Sequence, residues 1–505
     1  MQLLSQPTGP TQPVTIEHAD KIVGNEESGI TELVGNVRVV QGVTRINADR
    51  ATMYRDANRV VLTGNVRVAQ PGTTLHASRA DYDGSTRLAT ASNGLTVNDG
   101  DATIRASSGT YDMYSRRATF AGGVTMTDPK GRIRASSAEY YSEERRAEFH
   151  GGVNVQTDSG SIVAREISYW RDTEETYATG DVVVIPKGRD AQLTGQSLRH
   201  IPKAGYTIVT GSPRLIDIDT AADGTRDTTI ITASKLETYR SDAHSEYVAT
   251  DIVRLRRGNL EAIAARANYI PDDEVLGLGS GIAHTIASTI PSTDSASTAP
   301  RVRDTSAVTG RPLDSLESID TSATSSRRDP QRFTTGIWPV VWYDDSQLSG
   351  DTITVRLKNK KLRSIDVLGD ALAATEKQTR DRYDQLTGTH LLFNIEGDTI
   401  RQVRSEGLAS SVLFIEDGGK PSGVERHSAD LFVIDFVNGE PESVASYGPR
   451  TRIEGEHYPE SLVVDREQTF RLDNFRWIAR DAAVSRLKAT LPKDPVIPPV
   501  RNAPE

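Results

Sequence analysis

The chain has 505 residues, 25% of them charged and 36% apolar, with a formal charge of −10. That length is ample for a sizeable core and is the range of two to four domains. The acidic balance argues against nucleic acid as a partner, the absence of cysteine excludes disulfides, thiolate metal sites and cysteine nucleophiles, and no window approaches the ~18 consecutive apolar residues of a membrane-spanning helix.

Met1 to Pro13 has neither a basic n-region nor an apolar core, so no secretory signal is visible in it. Such a start belongs to a cytoplasmic protein or lies downstream of the true one. Next comes a repeat, the feature that decides the fold. A glycine motif recurs at Gly35-Asn36-Val37, Gly64-Asn65-Val66, Gly94-Leu95-Thr96-Val97, Gly122-Gly123-Val124, Gly151-Gly152-Val153 and Gly180-Asp181-Val182, with spacings of 29, 30, 28, 29 and 29. A second motif steps by 29 every time: Ile46-Asn47-Ala48, Leu75-His76-Ala77, Ile104-Arg105-Ala106, Ile133-Arg134-Ala135 and Ile162-Val163-Ala164. Five residues after the last four of these alanines stand Tyr82, Tyr111, Tyr140 and Tyr169, with Met53 in the first copy.

Val37-Arg38-Val39, Val66-Arg67-Val68, Ile104-Arg105-Ala106 and Ile133-Arg134-Ala135 alternate apolar with polar, the period of a half-buried strand. Turn formers such as Gln41-Gly42, Pro71-Gly72, Asp128-Pro129-Lys130-Gly131 and Asp158-Ser159-Gly160 separate them. The pattern predicts about three short strands per unit. A unit this small cannot bury its own apolar face, so neighbours must stack. The cadence continues at Gly211-Ser212-Pro213-Arg214-Leu215, then at Ile231-Thr232-Ala233 and Ile263-Ala264-Ala265.

From Thr285 to Ser326, 18 of 42 residues are Ser or Thr, a composition that predicts a flexible linker. Strand patterns return at Gly350 to Leu357, Gly397 to Ile400 and Ala429 to Phe436. Each is followed by a shorter one, at Leu362 to Val367, Ala409 to Ile415 and Ser443 to Tyr447, and the glycine motifs here step by 47. A helical piece is expected at Ala371 to Arg382. The expected organisation is therefore all-β: stacked repeats over 14–280, a linker over 281–331, a second, more divergent β domain over 332–482, and a disordered tail over 483–505.

One strand face carries Val37, Val39, Val66, Val68, Leu95, Val97, Val124, Met126, Val153, Val155, Val182 and Val184, and the second strand adds Ile46, Leu75, Ile104, Ile133 and Ile162. These side chains are small or medium-sized, and Trp is nearly absent before residue 200. Two readings stand: the residues pack against each other across the sheets, or they line an apolar channel able to hold alkyl chains. Arg38, Arg67, Arg105, Arg132 and Arg134 fall on outward positions or turns. They are either rim groups that touch lipid phosphates or a solvated face. No His-x-x-x-His, Gly-x-Ser-x-Gly or phosphate loop occurs. The acidic pairs Asp217 with Asp219, Asp272 with Asp273 and Asp344 with Asp345 read as solvated turns rather than glycosidase carboxylates or a calcium site. No catalytic residue, metal site or cofactor is expected.

The Gly-Asn-Val strand followed by Ile-x-Ala-x-x-x-x-Tyr at this spacing resembles the OstA-like domain of LptA-type periplasmic lipopolysaccharide-transport proteins, which also forms the N-terminal domain of LptD. The resemblance covers residues 14–280 well and 332–480 loosely. It implies a β-jellyroll whose apolar groove shelters the acyl chains of lipopolysaccharide. It also implies a periplasmic or outer-membrane-associated location, and partner jellyrolls joined by edge-strand pairing, here through Val14 to Val23. The signal peptide the family implies is not seen, and the chain lacks the aromatic-girdled strands of a membrane barrel, so it is expected not to span the membrane. Two other functions remain open: a β-solenoid enzyme acting on polysaccharide, and a structural or adhesion repeat.

Overall fold

The computed structural model describes residues 14–279 and 338–487, apart from 222, 242, 243, 380, 398, 438, 439, 450 and 451. The expected linker at 281–331 and the tail beyond 487 lie outside the described residues. Thirty-one strands among the described residues join one antiparallel sheet.

Each repeat is a hairpin of two long strands, not three short ones. The first copy is Ile30–Gln41 with Thr44–Tyr54, the second Arg59–Gln70 with Thr73–Asp83, the fourth Arg117–Asp128 with Gly131–Tyr141 and the fifth Arg146–Thr157 with Gly160–Trp170. In the third copy the returning strand is split into Ala102–Ala106 and Ser108–Asp112. What looks in the sequence like a break between short strands is a corner inside a long one. The register shifts between Val34 and Val37, Thr63 and Val66, Ala121 and Val124, and His150 and Val153. At each shift two successive residues take positive φ: Gly35 and Asn36, Gly64 and Asn65, Asn93 and Gly94, Gly122 and Gly123, Gly151 and Gly152, Gly180 and Asp181. A left-handed pair costs least with Gly or Asn, which is why these residues punctuate the repeat. The corner itself keeps a constant step of 29; the glycine spacings of 30 and 28 arise because the third copy reads Asn-Gly where its neighbours read Gly-Asn or Gly-Gly.

Every corner divides its strand into two arms, and the arms stack into two walls. The valine wall carries residues 37–41, 44–48, 66–70 and their successors. The tyrosine wall carries 30–34, 50–54, 59–63 and theirs, with Tyr82, Tyr111, Tyr140 and Tyr169 pointing inward. The walls face each other: a Cβ on Gly109 of the tyrosine wall would lie 2.7 Å from Leu95 Cδ2 of the valine wall. The result is a sheet folded along its corners into a trough, the open jellyroll geometry that the resemblance implies.

The sheet does not end with the repeats. Leu260–Ile270 pairs with Val340–Tyr343, and Val275–Gly279 pairs with Thr352–Lys358. The two β segments expected at 14–280 and 332–482 thus share one ladder. Further corners lie at Gly369-Asp370 and Gly407-Leu408. The step of 47 read from Gly350 and Gly397 is not a structural period, because Gly397 sits in the hairpin turn between Glu396 and Thr399. Nor is Ala371 to Arg382 helical. Ala371 to Glu376 ends the strand Lys361–Glu376, and Ala371, Leu372 and Ala374 are all buried. Burial on both faces removes the alternation that marks a strand and leaves an apolar run that mimics a helix.

The second face is buried by the C-terminal segment. After Glu454–Pro459 and the one-turn helix Glu460–Val463, an extended stretch runs back across the outside of the valine wall. Gln347 and Gln385, both buried, hold it with their amides. Gln347 donates to the Arg476 carbonyl (2.8 Å) and accepts from the Ile478 N–H (2.7 Å); Gln385 donates to the Phe470 carbonyl (3.2 Å) and accepts from the Leu472 N–H (2.9 Å). Each glutamine substitutes for a missing neighbour strand. Val463 and Leu472 pack there against Val412, Phe414 and Val424.

Candidate functional site

The trough interior is built from every repeat. Next to the corners, Val37, Val66, Leu95, Val124, Val153 and Val182 are buried, as are Val97 and Ile104. Nearer the mouth, Val39, Ile46, Val68, Leu75, Met126, Ile133, Val155, Ile162 and Val184 are half-buried against the core. All the valine-wall positions singled out in the sequence therefore face inward.

The opposite lining was missed. Ala118, Phe120, Ala138, Tyr140 and Phe149 project from the tyrosine wall and are buried, so the interior is not walled by small side chains alone. The phased tyrosines were the available signal, and their spacing from the inward alanines (Ala80 to Tyr82, Ala138 to Tyr140) places them on the same face. Burial pushes the phenols of Tyr111, Tyr140 and Tyr169 above their ordinary range, so they stay neutral.

Filling is uneven along the trough. In the first two copies Leu33, Val37, Ala48, Ala51, Leu62 and Val66 form a small cluster at the corner, while Met53 is 42% exposed at the position the tyrosines take later. From the third to the fifth copy a cleft of about 310 Å³ remains between Ile104, Val124 and Met126 on one wall and Phe120, Tyr140, Phe149 and Tyr169 on the other. That is at the lower end of the range for small-molecule sites. Beyond residue 250 larger side chains fill the interior, and Leu255, Leu348, Ile353, Ile365, Leu391 and Ile395 are fully buried.

The mouth is charged. Lys130, in a turn of the valine wall, reaches Glu174 in a turn of the tyrosine wall (2.6 Å), and Arg171 reaches Asp99 (3.4 Å). Farther on, Lys361 meets Asp223, and Arg257 donates to the Lys360 carbonyl (2.7 Å) while pairing with Asp219 (2.9 Å). The hydrogen bond between Lys130 and Glu174 raises the ammonium pKa and lowers the carboxyl one. Among the described residues no ion pair spans the mouth at the first two copies. Among the described residues the trough is thus open at its N-terminal end and latched farther along.

Of the two readings of the arginines, rim groups or a solvated face, their positions match the second. Arg38, Arg67, Arg105 and Arg134 lie in one cross-strand row on the outer face of the valine wall, with Arg132 beside them. Lys130, Arg145 and Arg171 stand at the mouth instead. Of the acidic pairs, Asp217 is buried against Arg189 (3.0 Å), with burial pushing its carboxyl up, and Asp219 pairs with Arg257. Glu139, Glu148 and His150 converge within 4.8 Å on the outside of the tyrosine wall. Arg117 and Arg146 already neutralise the two glutamates, and Tyr141 donates to Glu139 (2.6 Å). No described helix is long and apolar enough to cross a membrane.

Comparison with known proteins follows the same lines. Residues 11–164 match the family model of the OstA-like proteins. No curated protein matches. Among solved structures, LptH of Pseudomonas aeruginosa, described as the LptA-homologous periplasmic component of the lipopolysaccharide transport device, is 15% identical. The match covers 26% of this chain and 77% of that one, with a TM-score of 0.14, too low to bear on function.

Proposed function

We propose, from the match of residues 11–164 to the OstA-like family model, that the protein carries lipopolysaccharide in the periplasm as a passive shelter for its acyl chains. The observation that carries this reading is the uneven trough: apolar on both walls, open over the first two copies, and hollow at the cleft between Met126 and Phe149. Acyl chains enter where Val39, Ile46, Met53 and Val68 are incompletely covered, and the sugars stay in water beyond the charged mouth. Each methylene removed from water contributes about 0.8 kcal/mol, so ten give roughly 8 kcal/mol, the order of a micromolar affinity. The groove residues are those of the valine wall, joined by the aromatic lining opposite.

Among the described residues the open end is also a free edge: Val14–His18 and Lys21–Asn25 pair there only with Ile30–Gln41, and Val14, Ile16, Ile22 and Val23 are exposed on them. Such an edge accepts a strand from a partner by β-augmentation, and a second jellyroll docked there prolongs the trough. The test is photo-crosslinking from a benzoylphenylalanine placed at Val39 or Met53 in cells making lipopolysaccharide, with mass spectrometry of the purified protein. Crosslinks at both positions and co-purified lipopolysaccharide are expected. Their joint absence, with the probes reactive towards added detergent, rules the reading out.

A further inference from the structure

The outer face of the valine wall has a charge pattern that folding does not require. From Ile30–Gln41 to Gly160–Trp170 its outward positions hold Arg38, Arg45, Arg67, Arg105, Arg132 and Arg134 together with His76, and no Asp or Glu. All six arginines are exposed, and none forms an ion pair with a described residue. The opposite wall is built the other way: Arg59 and Arg79 meet Asp81, Arg117 meets Glu139, and Arg146 meets Glu148. In a chain of net charge −10, one face is purely cationic.

The cations are ordered. The register aligns Arg38, Asn47, Arg67, His76, Thr96, Arg105, Thr125 and Arg134 directly across eight successive strands. At about 4.8 Å per strand the row is roughly 34 Å long, with arginines about 10, 14 and 10 Å apart. Arg45 and Arg132 flank the row on the side of the mouth. The guanidinium fork suits phosphate and carboxylate better than a lysine ammonium does.

We propose that this arginine row is a track for the phosphate groups of the saccharide part of the amphiphile whose acyl chains lie in the trough. The inference rests on the lipopolysaccharide reading and extends it to the outside of the wall. Sugars leaving the mouth turn over the Gln41–Thr44 and Asp128–Gly131 edges and lie along the row. An anionic saccharide is favoured over a membrane surface because the cations form a single file across the strands, level with the open end and the cleft.

The test titrates the full chain with phosphorylated lipopolysaccharide and with the same material chemically dephosphorylated, for the natural protein and for R38Q/R67Q/R105Q/R134Q. All four sites are exposed, and matching melting temperatures establish that the variant folds. At typical exposed ion-pair strengths, the variant should lose about tenfold or more in affinity for the phosphorylated form, with a shallower salt dependence. Its affinity for the dephosphorylated form should be unchanged. If the natural protein binds both forms equally, the track is overturned while the trough reading stands. If it binds neither, the trough reading falls and the track with it. If the variant instead loses only its sedimentation with phosphatidylglycerol vesicles, the face is a membrane contact and the proposal is wrong.

Discussion

Ser136 Oγ lies 2.6 Å from the carbonyl oxygen of Gly151, fifteen residues on, and donates to it across the corner of the neighbouring strand. Ser107 treats Gly122 identically (2.6 Å), and Ser78 reaches Asn93 (2.7 Å). In the first two copies the contact is reversed in kind, with Asn36 and Asn65 donating to Asp20 and Asp49. The residue after each Ile-x-Ala motif therefore caps the bend of the next strand, and the two motifs stay in phase because they touch.

The corner predicts its own fragility. Gly151 has φ +81°, and an added Cβ would lie 2.7 Å from both Cβ and Oγ of Ser136. Gly151→Ala should destabilise by roughly 1–3 kcal/mol, and Ser136→Ala by about 0.5–1.5 kcal/mol, measured by urea denaturation. Unchanged midpoints for Gly151→Ala would show that the corner relaxes freely.

The latch predicts a pH-dependent mouth. Glu174 is held below its ordinary value of 4.5 by Lys130, so its contribution is full above that value and is lost as pH falls through the folded one. Lys130 is held above 10.5, so its side is lost only at high pH. The chain has no cysteine, so spin labels at P129C and T173C report this pair alone. A narrow distance distribution is expected at neutral pH, broadening only once the pH has fallen below the ordinary 4.5 of a glutamate. Glu174→Gln should be broad throughout; a width that ignores both pH and this variant would refute the latch.

The cleft predicts a separation of binding from stability. Ala147 lines it beside Phe149 and is only half-buried. Ala147→Phe should occupy free space, leaving the melting temperature within a few degrees while reducing co-purified lipid several-fold. Full lipid retention would place the acyl chains elsewhere.

The C-terminal segment predicts a local opening. Gln347→Ala removes an acceptor from the Ile478 N–H and a donor from the Arg476 carbonyl. The expected cost is about 1–3 kcal/mol, with hydrogen exchange rising first around Arg476 to Ile478 while the repeats stay protected.

These sites divide by how much of them could be read beforehand. Val37, Val66 and Val124 were legible because alternation beside a periodic Gly-Asn or Gly-Gly leaves one inward face. The corner was visible as glycine but not as a bend, since two positive φ values and a chain break leave the same residues. Phe120 and Phe149 recur 29 apart but belong to no repeated motif, and only the folding of the sheet brings them opposite Val124 and Met126. The strap at 470–487 carries no period at all, because its order comes from Gln347 and Gln385, more than 80 residues away.

The constant step between corners also governs how such a molecule can change size. One residue added to an arm would turn its inward side chains to water, whereas a whole duplicated unit would leave every row intact. Each unit contributes two strands, about 10 Å. Reach is therefore quantised: the chain is a ruler graduated in hairpins, and its length can be adjusted only by whole divisions.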